Sequence, residues 1–470
     1  MLLLTDIIEA LSGKRPDWPD HPISAAVHDS RQVSPGTLFV ALKGERVDGH
    51  DFVGEAFKQG ATLAIIEREL SGDFPVIDLR TGKELPASPE SFPLTLRVKN
   101  SLEALQQIAR FWRRKLDLRV IGITGSVGKT TSKESIAEVL AQRYKTFKSS
   151  GNFNNEIGLP LNMLAISEDD QLAVLEMGFY VPGEIAFLAD IAQPQVGVVT
   201  NIGTVHAERA GSQEAIYQGK AELVRSLPKD GIALLNFDDP LVKKMAQETD
   251  AQIFSYGLNP EADLWADEIE GLGLDGVRFQ LHCKGELLHV RIPMIGRHSV
   301  HTALRSTAVG LVEGLDWQQI LQGLRIGNPQ LRLVAAEGRD GSILLDDTYN
   351  ASPESTVAAL NLLDELEGRK VAVLGDMLEL GQYERQGHRM VGNLAAKVAD
   401  LLVTVGSRAE MIAEAAREAG LQDNAISQFE TTDKALAYLK KQVSGEDVVL
   451  VKGSRAMHMD RIVPELEVQS

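Results

Sequence analysis

A single cysteine, Cys283, stands among the 470 residues. One thiol excludes an internal disulfide framework and a cysteine-based zinc site, and it fits a reducing compartment. No uninterrupted apolar run reaches the roughly 18 residues of a membrane-spanning helix. The N-terminus does not read as a secretory leader either. Leu2–Leu4 gives only three apolar residues before Asp6, with no basic stretch ahead. Basic residues are outnumbered: 48 Lys and Arg against 66 Asp and Glu leave a formal charge of −18. Nonspecific nucleic-acid binding runs on clustered cations, so nucleic acid is not an expected partner. Short repeats and low-complexity tracts are missing. What is present, 44% apolar and 24% charged, is the composition of a globular protein long enough for two to four domains.

Three α/β units are expected. In residues 1–98 an N-terminal helix would carry Ile7, Ile8 and Leu11, capped by Thr5 or Asp6. A strand at 38–42, a polar loop at 44–49 and a helix with Phe52, Val53, Ala56 and Phe57 follow. Residues 71–91, rich in Gly, Pro, Ser and charge, read as a loop or hairpin. Residues 99–328 open with a helix through Leu102, Leu105, Ile108 and Trp112. Apolar strands then recur at 118–123, 172–177, 196–200 and 232–236, with helical patterns between several of them. Such alternation means βαβ units and a mostly parallel sheet. From about 261 to 292 the pattern shifts to short strands, an antiparallel extension, before a helix at 299–313. Asn328-Pro329 marks a boundary. Residues 329–470 resume the alternation as a unit of roughly Rossmann type, with strands at 343–345, 371–374, 401–405 and 448–451.

The run from Val120 to Thr131, VIGITGSVGKTT, carries the most chemistry. An apolar strand enters a Gly-rich turn and leaves it as a helix with Ile136, Val139 and Leu140, the context of a phosphate-binding loop. Gly125 and Gly128 would let backbone N–H groups approach phosphate oxygens, and the helix start adds partial positive charge. Lys129 would reach the β- and γ-phosphates, and Thr130 would offer its hydroxyl to Mg²⁺. The position five before Gly128 is Ile123, where the full motif has glycine. No Asp after the loop is followed by Gly three residues on, and no Asn-Lys-x-Asp occurs, which counts against a GTPase switch.

Other candidates stay open on position alone. Glu176 ends a strand, where ligands of open α/β sheets bind; it is a Mg²⁺-holding carboxylate or a solvated acid. His206, beyond the next strand, is a ligand or a loop histidine. Lys220, in a helical pattern with Leu223, reads as a surface lysine. Asp346-Asp347, followed by Tyr349-Asn350, suits ribose, metal or a solvated turn. Lys452-Gly-Ser-Arg455 could bind an anion or form a basic loop.

Together these pieces resemble the Mur ligases, ATP-dependent amide-forming enzymes of peptidoglycan precursor synthesis. The resemblance runs over nearly all 470 residues and three domains. It rests on the shortened loop 125–131, Glu176-Met-Gly with Pro182–Ile185, and Thr200–Gly203 with His206 and Glu208. Gly219-Lys220-Ala-Glu222, Gly296-Arg-His298, and Arg332 fifteen residues before Asp347 add to it. The stretches 151–158, 346–351, 374–381 and 452–455 resemble the branch that acts last. Asp29-Ser30-Arg31 and Gly49-His50-Asp51-Phe52 resemble a uridine-nucleotide domain. The Asp-Asn-Pro-Arg motif of the branch that adds a diamino acid is absent. Ser299, Thr302 and Ser352 stand where the family usually has asparagine, and Leu331 where it has glycine.

The resemblance implies an N-terminal UDP-binding α/β domain, a central P-loop domain with a mostly parallel sheet, and a C-terminal Rossmann-like domain taking the amine. It implies a cytoplasmic, monomeric ligase joining D-Ala-D-Ala to UDP-MurNAc-tripeptide through an acyl phosphate. ATP would lie on Gly125, Ser126, Val127, Gly128, Lys129, Thr130, Thr131, Asn201, Arg332, Asp347 and Tyr349. The uridine substrate would lie on Ser30, Arg31, Gly49, His50, Asn154 and Asn155, and the amine on Asp376, Lys452 and Arg455. Catalysis would fall to Lys129, Glu176, His206, Lys220 and Arg332. One or two Mg²⁺ would sit on Thr130, Glu176, His206 and a carbamylated Lys220. The alternatives are the sister ligase for the third residue, folylpolyglutamate synthase, and a nucleotide-gated protein that senses the precursor without making it. The N-terminal unit speaks against the folate enzyme.

Overall fold

The computed structural model describes residues 1–44, 46–80, 85–86, 88–89, 91–151, 153–205, 207–326 and 334–467. The expected boundary at Asn328-Pro329 lies outside them, as do Leu331, Arg332 and His206. No helix among the described residues is long and apolar enough to cross a membrane.

The described residues form three sheets. The first is parallel throughout, in the order Ala26–Val27, Leu38–Val40, Leu63–Ile66, Leu94–Arg97, Val76–Asp78. Its outer strand, Val76–Asp78, falls inside the stretch expected to be a loop or hairpin. With three residues and one of them buried, it is too short for a pattern to show. The N-terminal helix spans Leu4–Ser12 and starts ahead of the expected cap. Asp6 still caps it, but from inside the first turn: its carboxylate accepts the Leu3 N–H at 2.9 Å.

The helix Ser101–Lys115 joins the first two units. Asn100 caps it, accepting from the N–H groups of Leu102 and Glu103. Its buried face, with Leu105, Ile108 and Trp112, lies in one apolar core. That core runs from Leu38 and Leu63 of the first sheet to Val120 and Leu175 of the second. The first two units therefore share an interior, whereas the third has its own cores on the two faces of its sheet.

Six strands of the second sheet matter for position. β1 (Arg119–Thr124) lies between β2 (Leu172–Glu176) and β3 (Val196–Val199), all parallel. β2 is buried along its whole length, as a parallel strand covered on both faces must be. The far edge adds the expected antiparallel extension, Leu264–Gly271, Val277–Cys283 and Glu286–Ile292. Three helices frame this domain's open end: α1 (Lys129–Leu140), α2 (Gln213–Arg225) and α3 (Ser299–Val312). In the third sheet β4 (Ile343–Asp347) and β5 (Asp447–Lys452) are parallel neighbours, and α4 (Pro353–Glu365) follows β4. An antiparallel strand, Val334–Glu337, closes that sheet's edge.

Candidate active site

At the carboxyl end of β1 the chain turns through Gly125 (φ +146°) and Gly128 (φ +82°) into α1. A Cβ on Gly125 would lie 1.8 Å from Thr200 Oγ1, so only glycine passes there. The turn after β3 shapes the loop. The Thr200 hydroxyl donates to Val127 O at 2.7 Å. Asn201 accepts the Ser126 N–H on its carbonyl at 3.0 Å and the Val127 N–H on its side chain at 2.9 Å. α1 begins without a side-chain cap. The positive end of its dipole therefore points at a place suited to an anion.

Two lysines converge on one carbonyl. Lys129 Nζ lies 2.8 Å and Lys220 Nζ 3.1 Å from Gly125 O. Lys220, on α2, is 1% exposed, so it is not the surface lysine that its helical pattern alone suggests. Burial, and after it the charge of Lys129, holds its amine well below the ordinary lysine range. The Phe179 ring covers it at 4.7 Å. Gly219 permits that cover, since a Cβ there would strike the ring at 1.9 Å.

Glu176, buried at the end of β2, accepts the Thr130 hydroxyl on one carboxylate oxygen and the Asn154 amide on the other, both at 2.8 Å. A hydroxyl beside a carboxylate is the hard-oxygen pairing that Mg²⁺ takes from a protein, the rest of its shell coming from phosphate and water. No three of His, Cys, Asp and Glu gather into a metal cluster among the described residues.

β4 and β5 end opposite this loop. A cavity of about 370 Å³ runs from Ser126 and Gly128 across to Asp347, Ser355 and Lys452. His298, the residue before α3, and Thr302 and Arg305 within it line the cavity along one side. The Arg305 guanidinium donates to Thr302 Oγ1 at 3.0 Å and to Ser132 Oγ at 2.9 Å, which ties α3 to α1. The Ser299 hydroxyl donates to Gly296 O at 2.7 Å, and Ser352 caps α4 by accepting the Ser355 N–H. The spacing of His298, Thr302 and Arg305 is a signal from which the sequence could have yielded Arg305. Asn154 on Glu176 and Glu354, whose carboxylate accepts the Thr204 N–H at 3.2 Å across the domain boundary, left no such signal.

The remaining candidates are placed as follows. Tyr349 is half-exposed, with the Arg455 guanidinium 5.7 Å from its ring centre. The Asp376 carboxylate accepts the N–H groups of Arg408 and Ala409 at 3.0 and 2.7 Å, in the turn that leads into the helix Glu410–Glu418. Lys452 pairs with Asp347 at 2.6 Å. Asn155 accepts the Gly158 N–H at 2.9 Å. Ser30 is buried; Arg31 is exposed and pairs with Asp29 at 2.6 Å. A Cβ on Gly49 would lie 2.7 Å from Leu42 O. His50 is buried between Asp48 (2.6 Å) and the Glu67 N–H (2.9 Å).

His298 gives a pH prediction. The residue stays open to solvent, but desolvation by the surrounding protein, and then nearby positive charge on His301, Lys452 and Arg305, pushes its pKa down to about 4. The unfolded chain takes up a proton near 6.5, while the folded one stays neutral until about 4. Unfolding therefore binds a proton in that window, and stability falls as pH drops through it. His298→Gln will flatten that slope, which urea midpoints at pH 5 and pH 7.5 will show.

Mur ligase family models match three stretches: the family's catalytic domain at 22–113, its middle domain at 123–310 and its glutamate ligase domain at 332–455. The chain belongs to the Mur ligase family. The UDP-N-acetylmuramoyl-tripeptide–D-alanyl-D-alanine ligase of Bacillus subtilis is 35% identical, over 98% of this chain and 97% of that relative. A solved MurF from Acinetobacter baumannii is 31% identical, with a TM-score of 0.83 over 98% of both chains. A MurF ligase from Thermotoga maritima, solved in complex with ADP, is 28% identical, with a TM-score of 0.76 over 97% of this chain and 98% of that one.

Proposed function

We infer that the chain is an ATP-dependent ligase joining D-alanyl-D-alanine to UDP-MurNAc-tripeptide through an acyl phosphate. The observation that carries this is the crevice. The loop residues Ser126, Val127, Gly128 and Thr131 of one domain share a cavity with Asp347 and Lys452 at the ends of β4 and β5 in another, and Lys129, Lys220 and the Thr130–Glu176 pair are bonded to or within the same turn and helix start. Relatives that match along the whole chain bear the same name.

A carboxylate is a poor electrophile, so it is first converted into one with a leaving group. The terminal carboxylate oxygen of the tripeptide attacks the γ-phosphorus, and the bond to the bridging oxygen breaks, releasing ADP. The dipeptide amine then attacks the acyl carbon and sheds a proton as phosphate departs. Phosphoryl transfer of this kind is catalysed mainly by positioning and charge neutralisation. Lys129 and the start of α1 supply positive charge where two anions meet. Thr130 and Glu176 would hold Mg²⁺, which adds further charge neutralisation at the phosphates. Burial lowers the Lys220 pKa and so favours the neutral amine, whose free electron pair a carbamate requires. Asp347 would hold the ribose. Exposed Arg31 would meet the uridine diphosphate, and exposed Arg455 the dipeptide carboxylate. With the crevice shared by two domains, their approach excludes water that would hydrolyse the acyl phosphate.

Phosphate release is expected with ATP, UDP-MurNAc-tripeptide and D-Ala-D-Ala together, and little with diaminopimelate or lysine in place of the dipeptide. Productive turnover of UDP-MurNAc-dipeptide with a diamino acid would move the chain to the sister branch. Precursor binding with no ATP consumption for any amine would make it a sensor.

A further inference from the structure

We propose that Lys452 serves the nucleotide and not the incoming amine, as the residue that positions Asp347 for the ribose hydroxyls. This rests on the ligase function above and assigns one more part of its nucleotide site. Sheet register creates the pair: Asp347 and Lys452 are direct partners at the carboxyl ends of β4 and β5. Their side chains meet at 2.6 Å, with Lys452 1% and Asp347 13% exposed. The same ammonium donates to Asn350 O at 2.9 Å, tying the turn after β4 to β5.

Geometry separates Lys452 from the other two residues expected at the amine. Lys452, Asp347 and Asn350 all line the cavity that reaches the phosphate loop, whereas Asp376 and Arg455 do not. For the Lys452 ammonium to leave Asp347 for a dipeptide carboxylate, a buried ion pair at 2.6 Å would have to break. Staying on Asp347, it fixes the carboxylate's orientation while leaving it able to accept hydroxyl donors, since a carboxylate has lone pairs for about four. Exposed Arg455, by contrast, can take up a carboxylate without breaking a buried pair.

The test uses the full chain and separates the two substrates. In Lys452→Met, the KM for ATP and the calorimetric Kd for ADP rise about ten-fold or more, while the KM for D-Ala-D-Ala stays within about two-fold. A rise in the dipeptide KM with unchanged ADP binding overturns the proposal. If the single variant does not fold, the double variant Lys452→Met/Asp347→Asn, in which both members of the pair are neutral, carries the test. Acting through Asp347, Lys452 adds nothing once Asp347 is gone, so the double variant binds ADP as weakly as Asp347→Asn alone. ADP binding like that of the parent in the double variant overturns it. A parent chain that binds ADP but ligates nothing counts against the ligase function and leaves the assignment of Lys452 standing.

Discussion

Lys129→Ala will fold like its parent and lose turnover by roughly 10³-fold or more, because charge on the transferring phosphoryl group is what this type of catalysis supplies. The fold is spared for a local reason. Lys129 stands at the start of α1, where its ammonium rests on Gly125 O, and Lys220 donates to the same oxygen. Removing one donor leaves that carbonyl satisfied. The glycine turn itself is held by Thr200 and Asn201, which the substitution does not touch. Thermal melting beside phosphate release checks both halves. A near-normal rate would end the assignment of 125–131 as the phosphate loop.

Lys220→Ala will be inactive and will regain part of its rate with added formate or acetate. Burial, and after it the charge of Lys129, favours the neutral amine of Lys220. A neutral amine is the form that bonds the carbon of CO₂ and sheds a proton, giving an anionic oxygen donor in place of an ammonium. The alanine variant leaves space beside Gly125 that a small carboxylate can enter. Rate against formate concentration is the measurement, with melting to show that the variant is folded. Full activity without formate would make Lys220 a packing residue.

The strand, glycine turn and helix of the proposed phosphate loop were legible because they are neighbours in the chain. Strand, glycine turn, lysine and helix follow one another within 120–140, and the apolar alternation around them gives a parallel sheet. Glu176 was readable for the same reason, as the last residue of an apolar run. Pairings made by distant segments were not. Lys220 meets Gly125 across 95 positions and Lys452 meets Asp347 across 105. Neither helix pattern nor strand pattern reports such a meeting. Asn154, expected at the uridine substrate, has its amide on Glu176 because the chain after Thr146–Lys148 folds back over the end of β2. The strand Val76–Asp78 escaped because a three-residue strand with an exposed first residue shows no period. His206 and Arg332 lie outside the described residues.

The most direct test of acyl-phosphate chemistry follows an oxygen atom. UDP-MurNAc-tripeptide labelled with ¹⁸O in its terminal carboxylate is turned over with ATP and D-Ala-D-Ala in unlabelled water. If the carboxylate attacks the γ-phosphorus and the C–O bond then breaks, the released phosphate carries one oxygen from that carboxylate. Unlabelled phosphate, with the departing carboxylate oxygen released to water instead, would contradict activation of the substrate by phosphoryl transfer.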